Sequence, residues 1–169
     1  MRGGQRLAST TALITIIYNK YNKRYTEPAL ELANLFQQLF FNKKRYMETG
    51  LSHKSTVTVG EQHLACAMGS GDLRVFATPA MLALMENAAM LAVAPQLESG
   101  QSTVGGFISS SHIRPTGIGH SVTATAELIE VKGRKLKFKV SAADEQGLIG
   151  EGEHLRFIID KEQFLQKLK

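Results

Sequence analysis

The run from residue 79 to residue 94 is apolar on every side of a helical wheel, with only Glu86 and Asn87 polar. Thr78 as N-cap and Pro79 as first helical residue suit the start of this helix, and Pro95 suits its end. A helix that is apolar all round is predicted to be wrapped by other structure. We therefore expect Glu86 to be desolvated. An unpaired buried carboxylate is costly and indicates acid–base chemistry, unless it caps a loop or pairs with an arginine.

Alternating apolar and polar residues predict strands on both sides of the helix. One strand precedes it, and the four that follow are long, with one apolar face each, as in an antiparallel sheet. Short segments complete the pattern: a loop, a brief extended piece, two tight hairpins and a terminal helix. The predicted strands are 53–59, 102–113, 121–132, 135–144 and 149–160, the loop is 60–73, the extended piece is 74–77, the hairpins are 131–134 and 144–147, and the last helix is 161–169.

One strand, one long apolar helix and an antiparallel meander form an α+β pattern. Strands of this length can curl around a helix. One such sheet would leave part of the helix and a sheet edge uncovered, and a second copy of the chain is the simplest cover. The sequence therefore predicts a hot-dog fold, with the sheet wrapped around the helix, and a homodimer.

The formal net charge of +5 belongs to the first part of the chain. Residues 1–46 carry a balance of +6 and all four tyrosines, whereas residues 47–169 carry −1 and most of the glycines. We interpret 1–46 as an N-terminal extension, poorly ordered or outside the domain, and 47–169 as the domain. Because the basic residues lie in the extension, no nucleic-acid partner is expected for the domain.

Several other function classes lack their motifs. Cys66 is the sole cysteine, which permits no internal disulfide and favours a reducing, cytoplasmic location. No Cys/His cluster with zinc spacing and no phosphate-binding glycine loop occurs, so we expect neither metal nor cofactor. The central apolar run is too short for a membrane span of about 20 residues, and no membrane partner is expected. Residues 7–18 superficially resemble a signal peptide, but no small-residue cleavage site follows them.

Three chemically suitable residues stand at a specific spacing: Thr78 lies eight residues before Glu86, and His112 lies 26 residues after it. With the runs ATPAMLALME (77–86), TVGG (103–106) and GEGEHLRF (150–157), this pattern resembles the fluoroacetyl-CoA thioesterase-like family of hot-dog proteins over residues 50–165. The resemblance implies an acyl-CoA substrate, a catalytic set of Thr78, Glu86 and His112, and Gly105 against the thioester. It also implies a site at the dimer interface, where helix residues meet strand residues of the partner subunit.

Thioester hydrolysis needs a nucleophile, a proton donor for the leaving thiol and stabilisation of the oxyanion. Glu86 can attack or activate water, and His112 can move a proton near neutral pH. Thr78 can polarise the carbonyl or orient Glu86 and water, and Gly105 lets its backbone approach closely and donate a hydrogen bond. Whether Thr78 or Glu86 attacks stays open.

Each residue alone also has a structural interpretation. Thr78 could be only an N-cap, His112 could be an ordinary strand histidine, and His154 and Arg156, alternating on the last strand, are interpreted as a structural pair. Fluoroacetyl selectivity is implied only for a member whose pocket has aromatic residues ahead of the helix, and residues 68–74 contain none. We therefore expect a short-chain acyl-CoA thioesterase. The alternative is a non-catalytic acyl-CoA binding or sensing module. A hot-dog hydratase would need an Asp/His pair that is missing near Thr78.

Overall fold

A computed structural model describes residues 47–168; the predicted extension, 1–46, and Lys169 lie outside the described residues. One strand, the long helix, four further strands and a terminal helix follow one another in the predicted order. We number the elements from the first described one. They are β1 (Ser52–Thr58), a 3-10 turn (Glu61–His63), α1 (Ala65–Met68), α2 (Thr78–Val93), a second 3-10 turn (Ala94–Gln96), β2 (Gln101–Ser110), β3 (Ser121–Lys132), β4 (Lys135–Asp144), β5 (Gly147–Asp160) and α3 (Lys161–Gln166).

The five strands form one antiparallel sheet in the order β1-β3-β4-β5-β2. The predicted bounds of β3 and β4 are confirmed, because strict alternation and two tight hairpins fix them. β5 starts earlier than predicted, since Gly147 already pairs with Asp144 across the hairpin. The predicted loop at 60–73 contains the first 3-10 turn and α1. β1 and β2 are the edges of the sheet in the part of the chain that the structure describes.

Helix α2 packs on the sheet mainly against β3 and β1. Small side chains on its inner face let the helix approach the alternating apolar residues of β3 and β4. The principal buried residues are Met81, Met85, Ala88, Ala89 and Val93 of the helix, and Val122, Ala124, Ala126, Leu128, Leu136, Phe138, Val140 and Ala142 of the sheet. Pro79, Ala83, Asn87 and Leu91 form an exposed face of the helix in the single chain, as expected where one sheet covers the helix only in part.

The ends of α2 differ slightly from the prediction. Ala77 is the N-cap residue, with extended backbone, and Thr78 is the first helical residue. Pro79 is therefore the second, where its missing N–H still costs nothing, because the first N–H groups of a helix have no internal partner. The helix ends at Val93, and Pro95 lies in the 3-10 turn that follows. Among the described helices, none is long and apolar enough to cross a membrane.

Candidate active site

The first part of the site lies at the N-terminus of α2. The hydroxyl Oγ1 of Thr78 is 2.8 Å from Nδ1 of His112, within hydrogen-bond distance. Because Ala77 occupies the N-cap position, the N-cap interpretation of Thr78 is wrong. The structure thus brings together two of the three predicted catalytic residues.

His112 was expected on a strand, but it follows the end of β2 at Ser110. Backbone pairing with β5 nevertheless continues past it, since Ser111 donates to Glu151 O and Ile113 donates to Ile149 O. This continuation of β2, held by these two bonds, places the imidazole within reach of the helix. The position of His112 is therefore fixed by backbone hydrogen bonds on both sides.

The His112 imidazole is partly buried. Burial lowers its pKa below the usual 6.5, and the backbone of Arg114 only partly offsets this. The ring is consequently neutral at pH 7 and can accept a proton. Its Nε2 atom is buried and makes no hydrogen bond of normal geometry with the residues that the structure describes.

The segment after His112 is anchored to the hairpin between β4 and β5. Arg114 pairs with the buried carboxylate of Asp144, and the Thr116 hydroxyl donates to the same group at 2.9 Å. Burial alone would raise the pKa of Asp144. Hydrogen bonds from Gln146 and Thr116, together with the charge of Arg114, outweigh that effect and hold the pKa below 3.8. The ionised Asp144 thus fixes the loop that carries His112.

The second part of the site surrounds Glu86, in the middle of α2. Its side chain is 43% exposed, so the expected desolvation is not found in the single chain. Its Oε1 lies 3.4 Å from Nε2 of His154 and 3.9 Å from Nη1 of Arg156. Of the two structural alternatives considered for Glu86, the structure shows an arginine within ion-pair distance, and the catalytic interpretation stays a prediction.

His154 and Arg156 were predicted as a structural pair, and their contact with Glu86 was missed. Both are buried, although these residue types are seldom buried without a partner. They lie two residues apart on β5 and therefore point to the same face of the sheet. Two basic side chains on the inward face of a strand were the available signal, but the sequence could not pair them with a helix residue.

Gly105 lies directly beneath the Glu86 carboxylate. A Cβ atom at this position would be 2.4 Å from Glu86 Oε1 and 3.2 Å from His154 Cε1, so any side chain would displace the carboxylate. The register of β2 against β5 shifts between Gly105 and Phe107, which marks a bulge. The predicted substrate-contacting glycine is thus placed beside Glu86.

The two parts of the site are separated along the helix. Thr78 and Glu86 are eight residues apart, about 12 Å at 1.5 Å per residue. The resemblance implied that helix residues meet strand residues of a partner, whereas Thr78 contacts His112 of its own chain. A single chain therefore brings Thr78 and His112 together and holds Glu86 elsewhere.

A cavity of about 290 Å³ lies on the β1 side of the helix, and its lining is mostly apolar. Asn87 lines it and accepts a hydrogen bond from Ser55 at 2.7 Å. Among residues 47–168, no three His, Cys, Asp or Glu side chains are grouped so as to hold a metal ion.

Comparison with known proteins places this geometry in a family. Residues 59–162 match the family model described as fluoroacetyl-CoA-specific thioesterase (FlK). The fluoroacetyl-CoA thioesterase of Streptantibioticus cattleyicolor is 45% identical over 95 residues, which are 56% of this chain and 68% of that protein.

Solved structures of thioesterases and of a hot-dog protein resemble this chain as well. The fluoroacetyl-CoA thioesterase FlK aligns with a TM-score of 0.68 at 36% identity, over 73% of this chain and 96% of its own. A thioesterase superfamily member from Thermus thermophilus aligns with a TM-score of 0.67 at 26% identity, over 73% and 94%. A hot-dog-like protein from Thermanaerovibrio acidaminovorans, 20% identical over 79% and 93%, shares the fold with a TM-score of 0.66. The predicted hot-dog fold is confirmed, and the chain belongs to the fluoroacetyl-CoA-specific thioesterase (FlK) family of thioester hydrolases.

Proposed function

We propose that this protein hydrolyses short-chain acyl-CoA thioesters, with Thr78, Glu86 and His112 as its catalytic residues at the interface of a homodimer. The observation that carries the proposal is the 2.8 Å contact between the Thr78 hydroxyl and a His112 ring whose pKa is lowered by burial. A neutral imidazole beside a hydroxyl at a helix N-terminus can move a proton next to a developing negative charge.

Hydrolysis consumes one water molecule, whose oxygen ends in the carboxylic acid and one of whose protons ends on the thiol of CoA. The Glu86 carboxylate either attacks the carbonyl carbon or takes a proton from the water that attacks it. The carbon–sulfur bond then breaks and the thiolate departs. Where Glu86 has attacked, water next cleaves the acyl–Glu86 anhydride, which releases the carboxylic acid and restores the Glu86 carboxylate. In either case this water supplies the proton that His112 relays to the thiolate. Thr78 and the helix N-terminus face the oxyanion in this scheme.

A homodimer is proposed because the single chain leaves the site divided. Glu86 lies about 12 Å along the helix from Thr78, too far to act on the same thioester carbon. Two surfaces are available for a second copy: the exposed apolar face of α2 and the edge strand β2, whose Phe107 is 52% exposed. An isologous interface would bring Glu86 of one subunit to the Thr78–His112 pair of the other.

The substrate is proposed to be a short acyl-CoA rather than fluoroacetyl-CoA in particular. A point mutant of FlK has been solved in complex with acetyl-CoA, so that variant binds an unfluorinated short acyl-CoA. The segment from residue 68 to 74 supplies no aromatic side chain in this protein. The segment therefore lacks the aromatic residues that fluoroacetyl selectivity is expected to require.

A non-catalytic acyl-CoA binding module is the second candidate, and the cavity of about 290 Å³ is the observation that favours it. Binding an acyl group needs only such an apolar pocket. A binding module, however, has no use for a carboxylate held beside Arg156 or for a hydroxyl paired with His112.

The Glu86→Gln variant separates the two candidates. It preserves the shape of the side chain, so we expect an unchanged fold, while turnover of acetyl- to octanoyl-CoA falls by on the order of 10²-fold or more. The matched control is Glu130→Gln, a partly exposed carboxylate paired with Lys132 on the hairpin, which should keep full turnover. A folded Glu86→Gln variant with wild-type turnover would overturn the proposed mechanism. Binding of these thioesters by the wild type without hydrolysis would establish the binding module instead.

A further inference from the structure

Arg156 is held rigidly before it reaches Glu86. Its Nε donates to the hydroxyl of Thr103 at 2.9 Å, and its Nη2 donates to the Thr103 carbonyl at 2.8 Å. These two bonds fix the plane of the guanidinium, and the Arg156 side chain is 7% exposed. The remaining nitrogen, Nη1, is thereby directed toward the helix, where it lies 3.9 Å from Glu86 Oε1 and 3.5 Å from the Glu86 carbonyl oxygen.

His154 holds the Nη1 atom of Arg156 from the same strand. Its Nδ1 is 2.7 Å from the carbonyl oxygen of Phe107, and since a carbonyl only accepts, Nδ1 carries the proton. Burial lowers the pKa of His154, and the neighbouring Arg156 adds to this, so the ring is neutral. In a neutral ring Nε2 is then an acceptor, which matches the donor Nη1 of Arg156 at 3.2 Å.

We infer that Arg156 is a positioning residue for Glu86, holding its carboxylate beside Gly105 in the orientation used for thioester hydrolysis, and that His154 acts through Arg156. Arg156 Nη1 is the donor that faces the carboxylate, 3.9 Å from Glu86 Oε1. The unprotonated Nε2 of His154 lies 3.4 Å from the same oxygen, but it accepts from Arg156 Nη1 and so holds the guanidinium in place. Gly105, which has no side chain, leaves room for the carboxylate. His154 also ties the bulge of β2 to this cluster through Phe107. The residue predicted to contact the thioester, Gly105, and the carboxylate that acts on it are thus fixed to one another.

A purely structural role accounts poorly for this arrangement. Burying a guanidinium costs more free energy than its ion pair commonly returns, and an apolar residue of similar volume often gives equal or greater stability. Of the acidic side chains that the structure describes, Glu86 is the one within 4 Å of Arg156. That side chain is half-exposed, so the buried charge is directed at a group accessible to substrate rather than at the core.

The inference rests on the proposed function, and a double-mutant cycle tests the two separately. Arg156→Lys keeps the charge but loses the fork that binds Thr103. If Arg156 acts through Glu86, we expect kcat to fall on the order of 10- to 100-fold, with KM changed less than about twofold. In the Glu86→Gln background the same change should have almost no further effect, because the group being positioned is already gone.

A matched control is Arg134→Lys, on the exposed hairpin, which should leave kcat unchanged in both backgrounds. If Arg156→Lys fails to fold, His154→Asn serves in its place, since the amide of Asn can still donate to the Phe107 carbonyl while the nitrogen facing Arg156 is lost. The positioning role would be overturned if Arg156→Lys lowered kcat equally in both backgrounds. It would also be overturned if Arg156→Lys left kcat unchanged in the protein that retains Glu86. Wild-type turnover by Glu86→Gln alone would instead overturn the proposed function.

Discussion

Substituting Gly105 with alanine tests the placement of Glu86 by adding a single methyl group. The ideal Cβ would lie 2.4 Å from Glu86 Oε1, and ordinary contact begins near 3.4 Å, so the carboxylate must retreat by about 1 Å. His154 Cε1, 3.2 Å from the same point, blocks retreat in one direction. A displacement of about 1 Å in a reacting group costs roughly 10²-fold in rate. We therefore expect kcat to fall on the order of 100-fold.

The same substitution should barely alter stability. The atom in conflict is the end of a flexible side chain that is 43% exposed, and it can move into solvent. Gly105 does not have the positive φ that would make alanine strained. Surface changes of this kind usually alter the free energy of unfolding by about 0.5 kcal/mol or less. The expected result is a large loss of rate in a chain of nearly wild-type stability.

The assay compares release of free CoA thiol from acetyl-CoA with urea unfolding of the same preparation. The control is Gly117→Ala, whose Cβ would make an ordinary 3.6 Å contact with His120, and it should keep both rate and stability. A folded Gly105→Ala variant with wild-type kcat would refute the reasoning, because it would show that the position of Glu86 over this glycine has no role in catalysis.

Three further outcomes are expected. A chain starting at Met47 should fold and keep its turnover if residues 1–46 are an extension; loss of soluble protein would place them in the domain. Heterodimers of the inactive Glu86→Ala and His112→Ala chains should recover part of the turnover, whereas no recovery in verified heterodimers would place both residues in one chain's site. Because the pKa of folded Asp144 lies below its unfolded value of 3.8, its contribution to stability is present above pH 3.8 and lost as pH falls through the folded pKa. Urea unfolding at pH 2 to 6 measures this contribution to the free energy of unfolding, and the Asp144→Asn variant should lack it. A variant whose free energy of unfolding falls with acid as in the wild type would show that Asp144 is not its source.

The sheet was predictable because its signals are local. Val122 to Leu128 alternate strictly with polar residues, and the turn at Gly133 sets the register of β3 against β4, so both strands have the predicted bounds. The end of β2 was not predictable in the same way. Ser111 to Ile113 fit a strand by sequence, and they still pair with β5 in the structure, although the regular strand stops at Ser110.

The residues of the candidate site also differ in whether contiguous sequence is enough to predict them. Thr78 and Glu86 are recognisable from a helix start and from a lone charge in an apolar helix, both of which are features of contiguous sequence. The role of Arg156 depends on contacts with Thr103, 53 residues away, and with Glu86, 70 residues away. No periodicity in the sequence encodes contacts of that separation. A strand pattern shows only that His154 and Arg156 share a face, which is why they were interpreted as a pair that stabilises the sheet.

The exposure of Glu86 links these observations to the assembly. The sequence predicts a helix covered on all sides, and the single chain leaves one face and the Glu86 carboxylate accessible. Both differences have one physical explanation if a second copy covers that face, since desolvation of Glu86 would then be completed by the partner. In that case the buried guanidinium of Arg156 beside Glu86 is needed before assembly as well as after it. It holds the carboxylate in place while it is still exposed, so the interface can close on a site whose geometry is already set.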